Sequence, residues 1–89
     1  MLYRVESIKH LDGINRLDGR YPLRIGRVFE FMEPPQYLRC MYIQWLEDAD
    51  GSPYHGYFRT SMVRLIEQHG KTMIVTTMNS VYTFTEIKE

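Results

Sequence analysis

Turn-forming residues interrupt this chain so often that most segments between them are too short for anything but strands. Asp12-Gly13, Asp18-Gly19, Tyr21-Pro22, Pro34-Pro35, Asp50-Gly51, Ser52-Pro53, His69-Gly70 and Asn79-Ser80 mark the breaks. Each combines residues that preset or tolerate turn geometry. The intervening segments are rich in Val, Ile, Tyr, Phe and Thr, which suit a pleated, half-buried surface. The class this implies is all-β. With 89 residues, five or six short strands make a small closed barrel a better solution than a two-sheet sandwich, because closure removes exposed strand edges. One domain over 1–89 is expected, since a chain of this size supports a single core.

Individual segments sharpen the expectation. Tyr3 to Ile8 alternates apolar and polar residues until Ile8, and Gly26 to Phe31 puts Phe29 and Phe31 on one face with Val28 on the other. In Leu38 to Leu46, Met41, Ile43 and Trp45 share one face while Cys40 and Tyr42 share the other. Both faces of that strand are expected to be covered at least in part. Thr72 to Thr77 and Val81 to Ile87 read as a hairpin, with Asn79 best suited to the left-handed conformation of a short loop lacking Gly. Tyr57 to Glu67 admits two readings. Ser61 could cap a short helix with Met62, Leu65, Ile66 and His69 near helical spacing before Gly70. Alternatively Val63 and Leu65 flank Arg64 in a strand that turns at Gln68 to Lys71; the strand is the preferred reading, because eight residues make a marginal helix. Leu11 to Arg24 has no period and is expected to be a long loop resting on the barrel, as the loop after the first strand of an SH3-like barrel would be.

The pairing of Arg59-Thr60-Ser61-Met62-Val63 with Ile74-Val75-Thr76-Thr77-Met78-Asn79-Ser80-Val81-Tyr82-Thr83-Phe84 resembles small uncharacterised SH3-like β-barrel proteins of Gram-positive gut bacteria and their phages or mobile elements. The resemblance implies a phage or mobile-element accessory role and brings no reaction and no catalytic residue.

Several chemistries lack their signatures. His10, Cys40, His55 and His69 are isolated, so no metal site is expected. Asp48-Ala49-Asp50-Gly51 lacks the further ligands of a calcium loop and reads as a turn. The six glycines are dispersed without a phosphate-binding motif, and neither Ser61 nor Cys40 lies in a nucleophile elbow. The expectation is therefore no enzyme and no cofactor. No apolar run approaches a membrane span, and the N-terminus lacks a signal-peptide core, so a cytoplasmic address with no membrane partner is expected. Single Cys40 allows no internal disulfide.

Two binding readings follow. The first is a protein-binding module using Tyr37, Trp45, Tyr54 and Tyr57, because seven Tyr and one Trp exceed what a small core requires and such side chains are enriched at interface hot spots. The second is nucleic-acid binding through an Arg-rich loop, with Arg16, Arg20, Arg24 and Arg27 on phosphates and Tyr21 stacking on a base. It is motivated by charge: residues 1 to 29 carry six basic and three acidic side chains, residues 30 to 57 one basic and five acidic. A net charge of zero favours the protein partner, since neutral chains gain little from counterion release. Homodimerisation is a further expectation, by the acidic Glu47-Asp48-Asp50 tip of one copy meeting the Arg-rich loop of another, or by edge strands pairing.

Overall fold

Between the breaks the chain runs back and forth as β1 (Leu2–Lys9), β2 (Val28–Phe31), β3 (Cys40–Glu47), β4 (Pro53–His69), β5 (Thr72–Thr77) and β6 (Val81–Ile87), in a computed structural model that describes residues 1–87. Each strand pairs antiparallel with the next, and β6 returns to β1 to close a six-stranded barrel. The expected small SH3-like barrel is present. Among the described residues no helix is long and apolar enough to cross a membrane.

The helix lies elsewhere than the Met62 to His69 alternative would put it. Those residues continue β4, and the single short helix, α1 (Tyr21–Arg24), interrupts the long loop after β1. Pro22 in its first turn has no N–H to leave unsatisfied. Strand wins over helix at 62–69 because β4 is shared: it pairs with β3 up to Met62 and with β5 from Val63 onward. Its residues gain ladder hydrogen bonds from two neighbours, which an isolated two-turn helix would forgo.

A 17-residue strand wraps a barrel this small only if it coils, and bulges supply the bend. Register shifts between Trp45 and Glu47, between Cys40 and Tyr42, and between Val63 and Leu65 each place an extra residue on β4. At the middle one, Thr60 and Ser61 together oppose Met41. The Met41 N–H donates instead to the buried Thr60 hydroxyl at 3.0 Å, which itself donates to the Ser61 carbonyl at 2.8 Å. Thr60→Val keeps the shape and removes the acceptor, so it should cost about 1–3 kcal/mol in urea unfolding, the cost of stranding a buried N–H. An unchanged midpoint would show that the bulge is held by packing alone.

Inward-facing residues form one aromatic-rich core: Tyr3, Val5 and Ile8 from β1, Phe29 from β2, Met41, Ile43 and Trp45 from β3, Val63, Val75, Tyr82 and Phe84. A bulge between Val5 and Ser7 explains why alternation fails at Ile8, since the extra Glu6 shifts the phase and returns Ile8 to the interior. The face of β3 bearing Met41, Ile43 and Trp45 is buried as expected, but the opposite face is less covered than expected: Cys40 is half-buried and Tyr42 exposed. In a closed barrel one side of every strand faces out.

The β5–β6 hairpin forms with a different turn. Thr76 pairs with Val81, leaving a four-residue loop, a length that type I geometry closes without a left-handed residue. Leu38 is the one non-glycine with positive φ among the described residues, so Asn79 does not adopt the left-handed conformation. The Thr77 hydroxyl organises the loop instead, accepting from the Ser80 and Asn79 N–H groups at 3.2 and 3.4 Å.

Candidate protein-binding face

The residues singled out from the sequence divide between the inside of one barrel mouth and the outer surface. Trp45, at 4% exposure, belongs to the core and stacks on Phe58 with ring centroids 6.0 Å apart. Tyr54 packs against the same core. Neither lies in an open groove. Trp45 points inward because β3 alternates about a buried Met41 and Ile43, and the bulge in β4 beside it brings Tyr54 over the rim.

Arginines of the loop close this mouth. The Arg27 guanidinium lies 4.1 Å from the Tyr54 ring centre and 5.4 Å from that of Trp45, and its Nε donates to Asp48 at 3.3 Å. Arg24 covers Phe58 at 4.1 Å and Tyr21 at 4.9 Å, while Arg16 covers Tyr21 from 4.2 Å. Arg16 also donates to both Asp18 carboxylate oxygens, to the Asn79 carbonyl and to the Ser80 hydroxyl. A flat guanidinium can stack on a ring and still hydrogen-bond at its edge, which suits it to an aromatic mouth. The side chains of Arg16 and Arg27 retain only 15% and 12% exposure. Arg16, Tyr21, Arg24 and Arg27 are therefore committed within the chain, and of the five residues assigned to a nucleic-acid site only Arg20 projects free of these contacts. Of the acidic tip, Asp48 pairs with Arg27 inside the same molecule.

Below this stopper, burial pushes the Tyr82 phenol up to about 12, with the nearby Tyr21 adding to the shift. Ionisation is harder in the folded state than in the unfolded chain, where the phenol titrates near pH 10. The stabilisation is therefore fully present below pH 10 and is lost as pH rises from about 10 to 12. Two units correspond to about 2–3 kcal/mol. Unfolding titrations should show that alkaline loss in the parent protein and a flatter profile in Tyr82→Phe.

The outer surface of β3 and β4 has a different character. Tyr57 is 72% exposed and Tyr42 46%, and the register sets Tyr42 opposite Arg59 and Tyr57 opposite Gln44, so the two tyrosines are diagonal neighbours across the pair. Met62, opposite Cys40, continues this surface, and Met32, whose N–H donates to the Tyr42 carbonyl, borders it. Arg39, Arg59 and Arg64 are exposed along the same run of chain. Tyr37 lies at the far edge, its hydroxyl donating to the Ile66 carbonyl at 3.4 Å.

Next to Tyr37, Leu38 has φ +65° and leaves most of its side chain in solvent. Such a backbone conformation costs a branched residue on the order of 1–3 kcal/mol. Hydrogen bonds on both sides enforce it: Leu38 N–H to the Val63 carbonyl and Val63 N–H to the Arg39 carbonyl, each 2.9 Å. Leu38 and Tyr42 border a cleft of about 260 Å³ that also involves Glu33, Pro34, Gln36, Arg39, Cys40 and Met41.

Of the expected aromatic site, then, Tyr57 and Tyr37 are on the surface, and Trp45 and Tyr54 are in the mouth. Tyr42 was missed because its strand was read as covered on both sides. Its alternation with Met41 and Ile43 was the available signal. Among the described residues no three His, Cys, Asp or Glu side chains gather into a cation-ligating group. No protein-family model, no curated protein and no solved structure matches this chain.

Proposed function

We propose that this small barrel is a protein-binding module and that it engages its partner through the outer face of β3 and β4, acting by recognition rather than catalysis. The observation that carries the reading is the composition of that face. Tyr42, Tyr57, Met32 and Met62 lie exposed, with Arg39, Arg59 and Arg64 along the same stretch. Tyr, Met and Arg are the residue types enriched in protein interfaces, whereas Lys and carboxylates are depleted there. Rigid phenol rings give large contact areas at low entropic cost, and Met adapts its shape. The strained Leu38 at the margin supports the same reading, because the fold tolerates a backbone cost that leaves an apolar side chain in water.

The test is a paired variant. Tyr42→Ala/Tyr57→Ala should lower affinity for a partner captured by the parent protein by roughly 30-fold or more, the loss expected for interface anchors. Its melting temperature should stay close to the parent's, since exposed substitutions typically change stability by less than about 0.5 kcal/mol. Equal capture by the folded double variant would overturn the assignment. Titration of labelled single-stranded DNA and RNA into the same two proteins tests the competing nucleic-acid reading: tight binding that collapses with added salt and requires both tyrosines would move this face to that class.

A further inference from the structure

The outer face of β3 and β4 is built from stretches that carry charge of one sign. Residues 34–46 and 51–66 contain no Asp or Glu, and their Lys and Arg complement is Arg39, Arg59 and Arg64. The carboxylates that bring the chain to neutrality lie outside both stretches. In the barrel mouth the arginines find partners within the chain: Arg16 and Arg27 each meet an aspartate, and Arg24 lies over rings. On this face Arg39 donates to the Gln36 side-chain oxygen at 3.3 Å, and among the described residues none of the three exposed arginines has an ion-pair partner or covers a ring.

The ladder fixes where these charges stand. Arg59 is opposite Tyr42 and so shares a row with that exposed ring. The Arg39 carbonyl accepts from the Val63 N–H, which sets Arg39 beside Val63 and the Arg64 that follows it. Tyr42 and Arg39 are three positions apart in extended chain, about 10 Å, and Cys40 pairs with Met62 between them. Cations therefore bracket a strip of phenol, thiol and thioether. The cleft of about 260 Å³ opens on this strip, with Pro34, Leu38, Met41 and Tyr42 among its lining, and has room for a single side chain rather than a small-molecule ligand. Glu33, from the loop after β2, is the one acidic residue bordering it.

Guanidinium groups without a counter-charge keep their full capacity for two-pronged hydrogen bonds to a carboxylate. Such a surface attracts acidic partners and repels basic ones. We propose that the partner of this face is an acidic protein segment, which sets two or more carboxylates on Arg39, Arg59 and Arg64 and one neutral apolar side chain in the cleft beside Leu38 and Tyr42. The proposal rests on the protein-binding reading of the face and supplies the chemistry of its partner. A protein segment is favoured over a nucleic acid because Leu38, Met32 and Met62 are exposed within and beside the arginines. Aliphatic and thioether side chains bury against apolar side chains, whereas a nucleic acid offers them phosphates, sugars and base edges.

The experiment is selection of displayed random dodecapeptides on the full chain, with the selected sequences remade as capped peptides and measured by fluorescence anisotropy. Peptides whose binding is lost in Tyr42→Ala/Tyr57→Ala should carry two or more Asp or Glu within roughly four residues of an aliphatic or aromatic residue. Arg39→Gln/Arg59→Gln, folded like the parent, should weaken them roughly tenfold or more, and added salt should weaken them in the parent. Arg20→Gln, which removes a charge from the long loop instead, should leave their affinity within about twofold. Tyrosine-dependent peptides without acidic enrichment, full affinity in the arginine variant or an equal loss in Arg20→Gln would overturn the acidic partner and leave the face a protein-binding surface. Peptides that bind the tyrosine variant as well as the parent, or no enrichment at all, would overturn both. Single-stranded RNA bound more tightly than every selected peptide, and lost in the arginine variant, would overturn the proposal in favour of nucleic acid.

Discussion

Replacing Phe29 with Ala should destabilise the protein by about 3–5 kcal/mol, enough to lower the melting temperature by roughly 15–30 °C in a domain of this size. Phe29 is fully buried, and its ring meets four others: Phe84 at 4.7 Å, Phe31 at 5.1 Å, Tyr3 at 5.8 Å and Trp45 at 6.0 Å between centroids. Two effects therefore add. The buried area is lost and a cavity opens among rings that cannot relax into it, because each is held by its own strand. The seam of the barrel also loosens, since β2 is only four residues long and meets β1 through Tyr3–Phe29 and Arg4–Val28. Small domains have total stabilities of about 5–15 kcal/mol, so the variant should be largely unfolded in mild denaturant. Phe29→Leu, which fills most of the space, should recover more than half of the loss. A drop below about 1 kcal/mol for Phe29→Ala would mean that β2 is not needed to close the sheet.

Arg27→Ala should cost about 2–3 kcal/mol, far more than a surface arginine. The guanidinium contributes its stacking on Tyr54 and Trp45 and a charge-assisted hydrogen bond to Asp48, and the stem covers ring surface that would otherwise meet water. Arg27→Lys should recover little, since an ammonium has no flat face to lay on a ring. Arg27→Met should recover part, because it restores the covering stem without the charge. These variants also separate the stopper from a nucleic-acid contact. A residue that touches phosphate leaves unfolding unchanged when removed, so an Arg27→Ala protein with the parent's melting temperature would reopen that reading.

The strands and core were largely legible because they follow from period and punctuation. Thr72 to Thr77 and Val81 to Ile87 are observed as read, and β1 and β3 differ from the reading only at their ends. Met41, Ile43 and Trp45 declared the inner face through period-two spacing alone. Asn79 was misread because a left-handed residue is needed only if the loop is short, and the loop length is set by where β5 and β6 stop pairing. At 62–69 the preferred strand is observed; Ser61 and Met62 carry the local helical signals that kept a helix open there as the alternative, and the pairing of β4 with both β3 and β5, a non-local fact, decides against it, while the one-turn α1 lies within the stretch read as a loop.

The candidate sites depended far more on the fold. An arginine run reads as a solvent-facing basic loop until the loop folds over an aromatic mouth, where Arg16, Arg24 and Arg27 trade hydration for ring faces and carboxylates. Tyrosines of identical local character separated in the same way: Tyr54 went to the mouth and Tyr57, three residues on, to the surface. Sequence alone determined that this chain is a small closed β barrel, because hydrophobic period and turn chemistry are local properties that admit few global solutions. Tertiary structure decided which arginines and tyrosines face water, because bulges shift the phase of a strand and loops fold over its ends, and neither is encoded in the neighbourhood of the residue it reorients.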